Sequence, residues 1–504
     1  MGSIFGATLF GIDALVVEIE VRLLSGQYGR FLLTGLPGAA VRESRDRVKA
    51  AILASGYEFP RKSVLVHLAP ADQRKDGPLL DLPLALALLA ESGQLPHERF
   101  PRVLAAGELA LDGRVRPVRG ILAIAAAARE LDIDAILAPA EIAEQAALAH
   151  AAPVYPVRTL AEAMAVLAGT ASVDPARPAQ PEVDVEGEDD VRDVRGQELA
   201  KQALAVAAAG MHNLLLVGPP GSGKTMLARR LRALLPALGD DASIECSRIA
   251  SVVDPTRNTR VSRPPFRAPH HTASAAALVG GGVQLRPGEI TLAHNGVLFL
   301  DEFAEFPRVV IEALRQPLEE RTITVSRVAG TLTFPADVCL VAAMNPCPCG
   351  YRGHPKVACR CSDHEVRRYV QRLSGPLLDR IDLRVEVAAV DVRELLEPGP
   401  RTGSIDLRTA IVRARELQTE RFTRSLTRVN AQMSPKEVER FCVPDPEGHR
   451  LLLKAADTQH LSARSVKRIL RVARTVADLR GSATIASADV AFALACRTTL
   501  PLHE

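Results

Sequence analysis

A glycine-rich segment between an apolar strand and a basic helix is the strongest chemical signal in the sequence. Residues 218–225, GPPGSGKT, follow the apolar run LLLV and precede the helical pattern MLARRL. Backbone N–H groups of such a loop, together with the N-terminus of the following helix, bind phosphate groups. The lysine neutralises the β and γ phosphates, and the threonine hydroxyl binds Mg²⁺. The residues predicted to bind ATP and Mg²⁺ are Gly218, Pro219, Pro220, Gly221, Ser222, Gly223, Lys224, Thr225 and Met226.

Two further strands end on polar residues that suit nucleotide hydrolysis. GVLFLDE places Asp301 and Glu302 at the carboxyl end of an apolar strand, where ligands of α/β sheets bind. Asp301 is expected to complete the Mg²⁺ site, and Glu302 is expected to polarise the attacking water. The strand VCLVAAMN ends on Asn345, which we predict orients that water. The alternative for Asn345 is a turn residue that merely ends the strand.

Two arginines nearer the C-terminus could act on phosphate charge. LSGPLLDRIDLRVEV places Arg380 between two acids just before a strand. Its guanidinium could neutralise the transition-state charge of ATP on a neighbouring subunit. A surface salt bridge to Asp379 or Asp382 is the simpler alternative. LSARSVKRILRVARTVADL predicts a basic helix with Arg464 in its first turn.

Cysteines cluster in the segment that follows Asn345, in the pattern C-x-C-x₉-C-x-C. Four thiolates can surround Zn²⁺ tetrahedrally, and His354 or His364 could replace one ligand. We favour structural zinc, with redox chemistry and the absence of any ligand as alternatives. The clustered residues are Cys347, Cys349, Cys359 and Cys361. The predicted packing cysteines are Cys246, Cys339, Cys442 and Cys496.

Composition and charge narrow the class of protein. The chain has 504 residues, of which 47% are hydrophobic and 24% charged, and its net charge is +3. This balance suits a globular protein of about two to four domains and neither demands nor excludes a nucleic-acid partner. The first residues lack a basic start and a cleavage site, and the apolar runs are shorter than the roughly 20 residues that span a bilayer. We therefore expect a cytoplasmic protein without a membrane partner, in which paired cysteines bind metal rather than form disulfides.

The pattern of elements along the chain predicts an α/β fold class. Residues 1–168 alternate strand-like segments, such as RFLLTGL and SVLVHLAP, with the helical pattern AAVRESRDRVKAAILASG. Residues 169–190 contain prolines and a run of acids, and are the predicted linker. A second α/β domain is predicted over residues 191–395, followed by a helical domain over residues 396–504.

The order of these motifs resembles that of AAA+ ATPases, P-loop NTPases whose core carries a helical lid. RPGEITLAHNGVLFLDE and ALRQPLEERTITVSRVAGTLTFPADVCLVAAMNPCPCG resemble the magnesium-chelatase-like branch and its MCM helicase relatives. The whole chain resembles the bacterial YifB/ComM family. The resemblance implies a Walker A loop at 218–225 and a Walker B pair at 301–302. It also implies that Asn345 is sensor 1, Arg380 the arginine finger and Arg464 sensor 2.

The same resemblance implies contacts with single-stranded or branched DNA. RTITVSRVAGTLTF matches the hairpin that such helicases point at DNA in a central pore, although its tip has no lysine. The glycine-rich insert APHHTASAAALVGGGVQLRPGE is a second candidate, because its glycines could let the backbone approach phosphates closely. Its adjacent histidines could also be loop polar residues or metal ligands. The candidate DNA-contacting residues are Arg267, His270, His271, Gln284, Arg286, Arg321 and Arg327.

The N-terminal domain resembles the S5-type proteolytic domain of Lon. RKDGPLLDLPLALALL and GELALDGRVRPVRGILAIAAAA match motifs that carry a serine and a lysine in Lon, but here Leu79 and Leu122 stand at those positions. A Ser–Lys dyad needs both the hydroxyl and the amine. We therefore predict a Lon-protease-like domain without peptidase chemistry. Its resemblance to the non-proteolytic Lon-like domain of the RadA recombination ATPase implies a scaffold that supports ring assembly and DNA contact.

Together these features predict an ATP-hydrolysing DNA motor, a homohexameric helicase or branch-migration ATPase. The family resemblance implies a role in homologous recombination of DNA taken up in natural transformation, with recombination proteins as candidate partners. A ring is implied because Arg380 has little use unless it reaches a neighbour's ATP. The alternatives are a metal-insertion subunit like that of magnesium chelatase, a protein-remodelling chaperone of the MoxR type, and a Lon relative retained as an interaction platform.

Overall fold

The computed structural model divides the chain into two compact units. Residues 239–262, which the sequence assigns to the domain at 191–395, group with the N-terminal unit. The first unit comprises residues 1–183, 239–262 and 282–287, and the second comprises residues 184–238, 263–281 and 288–504. The structure describes residues 3–96, 100–182, 190–281, 285–327, 330–389 and 403–497.

Strands occur in both units and include the segments predicted from the sequence. RFLLTGL contains β3, VCLVAAMN contains β17, and SVLVHLAP contains all of β4 except Lys62, so these predictions are confirmed. The strands of the described residues are β1 (Ser3–Phe10), β2 (Asp13–Tyr28), β3 (Phe31–Thr34), β4 (Lys62–Ala69), β5 (Arg102–Ala105), β6 (Glu108–Leu109), β7 (Val115–Arg116), β8 (Ala135–Pro139), β9 (Val154–Val157), β10 (Leu214–Val217), β11 (Phe266–Arg267), β12 (Gly280–Gly281), β13 (Arg286–Pro287), β14 (Gly296–Leu300), β15 (Thr322–Arg327), β16 (Gly330–Pro335), β17 (Val338–Met344) and β18 (Leu383–Glu386).

Several helices begin where a side chain accepts a hydrogen bond from a backbone N–H group of the first turn. Ser462 accepts a hydrogen bond from the N–H of Ser465, and Ser362 forms a capping box with Glu365. The α-helices of the described residues are α1 (Ala39–Ala54), α2 (Asp81–Glu91), α3 (Ile121–Ala127), α4 (Ala143–Ala147), α5 (Leu160–Leu167), α6 (Glu198–Gly210), α7 (Lys224–Leu234), α8 (Asp240–Val253), α9 (Ala275–Val279), α10 (Glu289–Leu292), α11 (Arg308–Ala313), α12 (Arg315–Glu320), α13 (Asp363–Val370), α14 (Gly375–Leu378), α15 (Ser404–Arg421), α16 (Pro435–Phe441), α17 (Pro446–Thr458), α18 (Ala463–Leu479) and α19 (Ser487–Ala495).

A mixed sheet of seven strands forms the centre of the N-terminal unit, in the order β3-β4-β2-β1-β5-β8-β9. Strand β2 pairs antiparallel with β1 and β4, whereas β1, β5, β8 and β9 are mutually parallel. Helix α2 is apolar on nearly all sides and is buried from Asp81 to Leu89. Its leucines belong to the same buried cluster as Val17, Val66 and Val103 of the neighbouring strands.

Helix α8 joins the N-terminal unit although it follows the phosphate loop in the sequence. Arg248 on α8 forms an ion pair with Asp13 at 2.9 Å, and the carbonyl oxygen of Ser251 accepts a 2.8 Å hydrogen bond from the N–H of Gly120. Farther along, the Oδ1 atom of Asn258 accepts a 3.0 Å hydrogen bond from the N–H of Gln145. The segment is therefore part of that unit's hydrogen-bonded structure.

A parallel sheet in the order β11-β14-β17-β10-β18 forms the core of the second unit. Strands β14 and β17 are buried along their whole length, as expected for central strands covered on both faces. The register pairs Val217 with Met344 and Leu300 with Ala342. The strand ends at Val217, Leu300 and Met344 therefore meet at one edge of the sheet.

The C-terminal helices share the hydrophobic core of this second unit. Ile469 and Val472 of α18 belong to the same buried cluster as Leu214 and Val385 of the sheet. Within the helical region, Arg421 binds Asp478 through two hydrogen bonds of 2.6 and 2.8 Å. Such a bidentate pair fixes the angle between α15 and α18 more strictly than apolar contact alone.

Candidate active site

The segment between β10 and α7 forms a phosphate loop at this sheet edge. Gly223 has a φ of 88°, a conformation that side chains with a Cβ rarely adopt. A Cβ atom on Gly218 would lie 2.2 Å from the carbonyl oxygen of Val387, so a larger residue does not fit there. Helix α7 begins at Lys224, and its first free N–H groups provide the positive end of the helix dipole for an anion.

Lys224 lies inside the loop and connects it to the predicted sensor residue. Its Nζ atom donates to the carbonyl oxygens of Gly218 and Pro219 at 2.8 and 2.9 Å, and to Oδ1 of Asn345 at 3.2 Å. Burial lowers the pKa of Lys224, while the charge of Asp301 opposes that change. The structure thus brings together the groups that would neutralise and detect the terminal phosphate.

Thr225 and Asp301 form the second contact of the site. The Thr225 hydroxyl donates to Oδ2 of Asp301 at 2.7 Å, and Oδ1 of Asp301 accepts from the N–H of Glu302 at 2.9 Å. Hydroxyl and carboxylate oxygens are the hard ligands that Mg²⁺ prefers. The donor set therefore fits this metal, which Thr225 and Asp301 would hold.

Glu302 has a partner that the sequence did not indicate. Its Oε2 atom lies 2.9 Å from Nδ1 of His271, and its backbone has a φ of 51°. The ring of His270 stacks 4.1 Å from that of His271 and bonds to Thr272 at 2.9 Å. His271, predicted as a candidate for DNA contact, thus lies against the carboxylate expected to polarise water.

Arg380 and Arg464, far apart in the sequence, share one carboxylate. The Nη2 atom of Arg464 donates to Oε1 of Glu319 at 2.6 Å, and Nη2 of Arg380 donates to Oε2 of the same residue. Arg380 is buried, and its Nη1 atom donates to the carbonyl oxygen of Pro376 at 2.5 Å. The ion pair of Arg380 is therefore with Glu319 and not with the adjacent Asp379 or Asp382 considered above.

The other candidate DNA residues have varied surroundings. Arg267 forms a bidentate pair with Glu289 at 2.6 and 2.8 Å. Arg321 lies 3.7 Å from Asp337, and burial lowers its pKa. Arg286 lies exposed on β13. Gln284 and the side chain of Arg327 lie outside the described residues.

The clustered cysteines meet as the sequence predicts. The Sγ atom of Cys359 lies 3.6 Å from those of Cys347 and Cys349, and the latter two are 3.4 Å apart. With Cys361 included, the ligand atoms all lie within 4.8 Å of one another. Thiolates about 2.3 Å from one Zn²⁺ would lie about 3.8 Å apart in a tetrahedron. The cluster is compatible with a metal site.

Backbone contacts support the cysteine cluster and place it against the phosphate loop. Hydrogen bonds from the N–H groups of Arg360 and Tyr351 lower the pKa of Cys349 to about 6. Gly350 has a φ of 84°, and a Cβ atom there would lie 2.7 Å from the Cδ atom of Pro220. The four cysteines outside the cluster are buried, which confirms their prediction as packing residues: Cys246, Cys339, Cys442 and Cys496.

Family models of magnesium chelatase match successive parts of the chain. Subunit ChlI of Mg-chelatase matches residues 19–142, magnesium chelatase subunit ChlI matches residues 190–395, and its C-terminal model matches residues 401–497. The chain is 42% identical to the competence protein ComM of Haemophilus influenzae over 511 residues, which covers 100% of this chain and 99% of that protein. It is 40% identical to YifB of Escherichia coli over 474 residues, or 93% of this chain and 91% of that protein. The chain belongs to the YifB/ComM family.

Membership of the YifB/ComM family makes the chain a magnesium-chelatase-like AAA+ ATPase. A shorter match, 29% identical over 148 residues, is to the Lon protease of Lachnoclostridium phytofermentans, and it covers 28% of this chain and 18% of that protein. Among the described residues, no helix combines the length and apolar content needed to cross a membrane.

The sequence analysis did not predict the contact of His271 with Glu302 or any role for Glu319. His271 could have been suspected because it follows the short strand β11, which lies beside β14 and its terminal Walker B pair. Glu319 lies in the helical segment ALRQPLEE and has no motif of its own. Its importance is visible only from the two guanidiniums that converge on it.

Proposed function

We propose that this YifB/ComM family member is a ring-forming motor that couples ATP hydrolysis to the movement of DNA strands. The observation that carries the proposal is the convergence of Lys224, Thr225, Asp301 and Asn345 at one sheet edge. Support for DNA as the substrate comes from similarity over the whole chain to a competence protein. The β15–β16 hairpin, of the kind predicted to meet DNA, is present as two paired strands.

In the proposed cycle, the phosphate loop binds ATP and Lys224 turns from its loop carbonyls to the β and γ phosphates. Thr225 and Asp301 would hold Mg²⁺, which would neutralise phosphate charge. Glu302, oriented by His271, polarises the attacking water. Asn345 contacts the terminal phosphate and the water, so it distinguishes ATP from ADP.

The proposal includes a homohexamer in which Arg380 serves the ATP of a neighbouring subunit. An arginine supplied to the transition state of phosphoryl transfer accelerates hydrolysis by about 10³-fold or more.

The biological role proposed here follows the relative's name. We assign branch migration of single-stranded or branched DNA during homologous recombination in natural transformation, in the cytoplasm and together with recombination proteins.

The N-terminal unit would act as a Lon-like scaffold. Leu79 and Leu122 belong to one buried apolar cluster, and this environment does not suit a serine and a lysine.

Zinc is proposed as a structural ligand of the cysteine cluster. The thiolates would hold the segment 347–361 rigid between Asn345 and the helices that lead to Arg380. Metal analysis should find one zinc per chain, and the variant Cys359→Ser/Cys361→Ser should lose it together with thermal stability. A zinc-free wild-type protein with full ATPase activity and an unchanged Tm would refute the assignment.

The test of the motor is ATP turnover with and without DNA. Single-stranded and forked DNA should raise turnover, and the variant Glu302→Gln should abolish both turnover and junction migration while ATP binding remains. Binding should weaken as salt rises, because phosphate contacts release counterions. DNA-independent turnover that a protein client or a metal-porphyrin system stimulates would instead favour a remodelling or metal-insertion ATPase.

A further inference from the structure

Glu319 is the meeting point of two arginines that come from different elements. It lies near the end of α12 and accepts hydrogen bonds from Arg464 on one carboxylate oxygen and from Arg380 on the other. Arg464 belongs to the first turn of α18, and Arg380 follows α14. One half-exposed carboxylate therefore holds two guanidiniums side by side.

The backbone at Arg380 is fixed to the same helix that carries Arg464. The carbonyl oxygen of Arg380 accepts hydrogen bonds from Nη1 of Arg468 at 3.1 Å and from Nδ2 of Asn213 at 3.0 Å. Arg468 also donates to Oδ1 of Asp382 at 2.6 Å. Because Arg464 and Arg468 lie one turn apart on α18, they share a face of the helix. Helix α18 therefore binds the backbone of Arg380 through Arg468. Through Arg464 it also binds Glu319, the carboxylate that pairs with the Arg380 side chain.

The negative charge of Glu319 is needed to keep the guanidiniums of Arg380 and Arg464 close together. Burial alone would raise the pKa of Glu319, but hydrogen bonds and charges from Arg380 and Arg464 hold that pKa below its ordinary value. Glu319 is thus ionised at neutral pH. Two adjacent guanidiniums repel each other, and the repulsion is stronger where a group is shielded from water, as Arg380 is. Without the carboxylate, the two cations would separate.

We propose that Glu319 is a positioning residue that holds Arg380 and Arg464 as one cationic pair, which acts on the ATP of the neighbouring subunit. This inference rests on the proposed function, in which Arg380 serves that neighbouring site. Since Arg464 shares the carboxylate, it acts beside Arg380 rather than on the phosphate loop of its own subunit. Triphosphate, with several negative charges, is a suitable ligand for two adjacent guanidiniums.

The first experiment compares Glu319→Gln with Glu320→Gln in the full chain. Glu320 is the adjacent residue and accepts a hydrogen bond from Gln316 at 2.9 Å, so it is a matched control. Glu319→Gln should lower kcat for ATP about 10- to 100-fold and leave KM nearly unchanged, because misplacement of a reacting group by about 1 Å has this scale of effect. Glu320→Gln should retain wild-type kcat. Unchanged or increased turnover in Glu319→Gln would overturn the proposal.

The second experiment mixes subunits, which separates positioning from a merely structural role. Lys224→Ala subunits cannot hydrolyse ATP but retain Glu319 and both arginines. Their addition to Glu319→Gln protein should raise turnover per Glu319→Gln subunit, because intact arginine pairs then reach functional ATP sites. Turnover that only falls in proportion to dilution would overturn the proposal. Thermal melting of each variant should show that all subunits are folded.

Arg380→Ala distinguishes failure of this inference from failure of the proposed function. If Lys224→Ala subunits restore turnover to Arg380→Ala but not to Glu319→Gln, the arginine acts between subunits and the role of Glu319 is wrong. If they restore neither variant, action on a neighbouring ATP, and with it the proposed ring, is wrong. Restoration of Arg464→Ala as well would show that both arginines act in the neighbouring site.

Discussion

The two compact units of this chain differ in what lies at positions where chemistry would occur. In the second unit, polar side chains meet at the edge of the parallel sheet. Lys224 donates a hydrogen bond to Asn345, and the neighbouring Thr225 donates one to Asp301. In the first unit, Leu79 and Leu122 lie in a buried apolar cluster. Both units keep dense cores of Val, Leu, Ile and Ala. An α/β fold therefore persists with its apolar pattern, whereas chemistry depends on a few polar side chains.

Removal of the Lys224 amine from the phosphate loop is expected to cause the largest loss of activity in the second unit. Lys224→Ala should lower ATP turnover at least about 1000-fold, because preorganised charge at the transferred phosphate is lost. Arg229→Ala, an exposed residue of the same helix, should retain turnover within about twofold. A steady-state phosphate-release assay measures both. Appreciable turnover in Lys224→Ala would move the hydrolytic site away from this sheet edge.

Insertion of an amine into the first unit tests whether its buried apolar cluster accepts a lysine. Leu122→Lys should destabilise the N-terminal unit by about 3 kcal/mol or more, because a charge placed among apolar side chains must be desolvated or deprotonated. Leu111, 63% exposed in the same unit, gives the control Leu111→Lys, which should change stability by less than about 0.5 kcal/mol. Urea unfolding measures the difference. A fully stable Leu122→Lys protein would show that this cluster still admits a dyad lysine.

The contact between His271 and Glu302 allows a test of whether a neighbouring side chain orients the catalytic carboxylate of the second unit. His271→Ala should lower kcat about tenfold with little change in KM for ATP, since the carboxylate loses an orienting partner at 2.9 Å. His270→Ala is the matched control, because that ring bonds to Thr272 instead. Equal effects of the two substitutions would contradict the assignment. An increase in kcat for His271→Ala would make the histidine a restraint on Glu302.

A smaller effect is expected where a polar side chain serves only stability. Glu437 accepts hydrogen bonds from Ser425, Thr427 and the N–H of Ser434 at 2.6, 2.9 and 2.7 Å. Although burial opposes it, these bonds lower the pKa of Glu437 from 4.5 to about 2. Glu437→Gln should cost about 1 kcal/mol of unfolding free energy at neutral pH and leave ATP turnover unchanged.

The sign of the pH dependence follows from that lowered pKa. The unfolded chain takes up the proton first, so the stabilisation is complete above about pH 4.5 and declines as pH falls toward 2. The difference between wild type and Glu437→Gln should therefore shrink on acidification. Glu439→Gln, which removes a surface ion pair with Lys467, should show a difference below about 0.5 kcal/mol. A pH-independent difference at Glu437 would contradict the charge-based explanation.

Much of the candidate site could be predicted because its signals are local. The strand, glycine-rich loop and helix around Lys224 are adjacent in sequence. Asp301 and Asn345 each directly follow their own apolar strand. Helix α18, with Arg464 in its first turn, was also predicted from the pattern of its own residues. The clustering of the cysteines followed from their spacing. In each case a few neighbouring residues determine the local conformation.

The contacts of His271 and Glu319 could not be predicted in this way. Each depends on side chains that meet across more than about 30 positions of sequence, through the packing of separate elements. Equally, nothing in the composition of residues 239–262 indicates that they join the N-terminal unit. Long-range contacts of this kind follow from the assembled fold and carry no local signature.

The sequence by itself determined the phosphate loop, the acidic and amide residues at the strand ends, and the cysteine spacing, because backbone geometry and side-chain type at adjacent positions dictate them. Tertiary structure alone decided which charges face each other. The parallel register brought Lys224 to Asn345, and the packing of α18 brought Arg464 and Arg380 to Glu319. The energy of a charge depends on its neighbours in space, and only the folded chain supplies those neighbours.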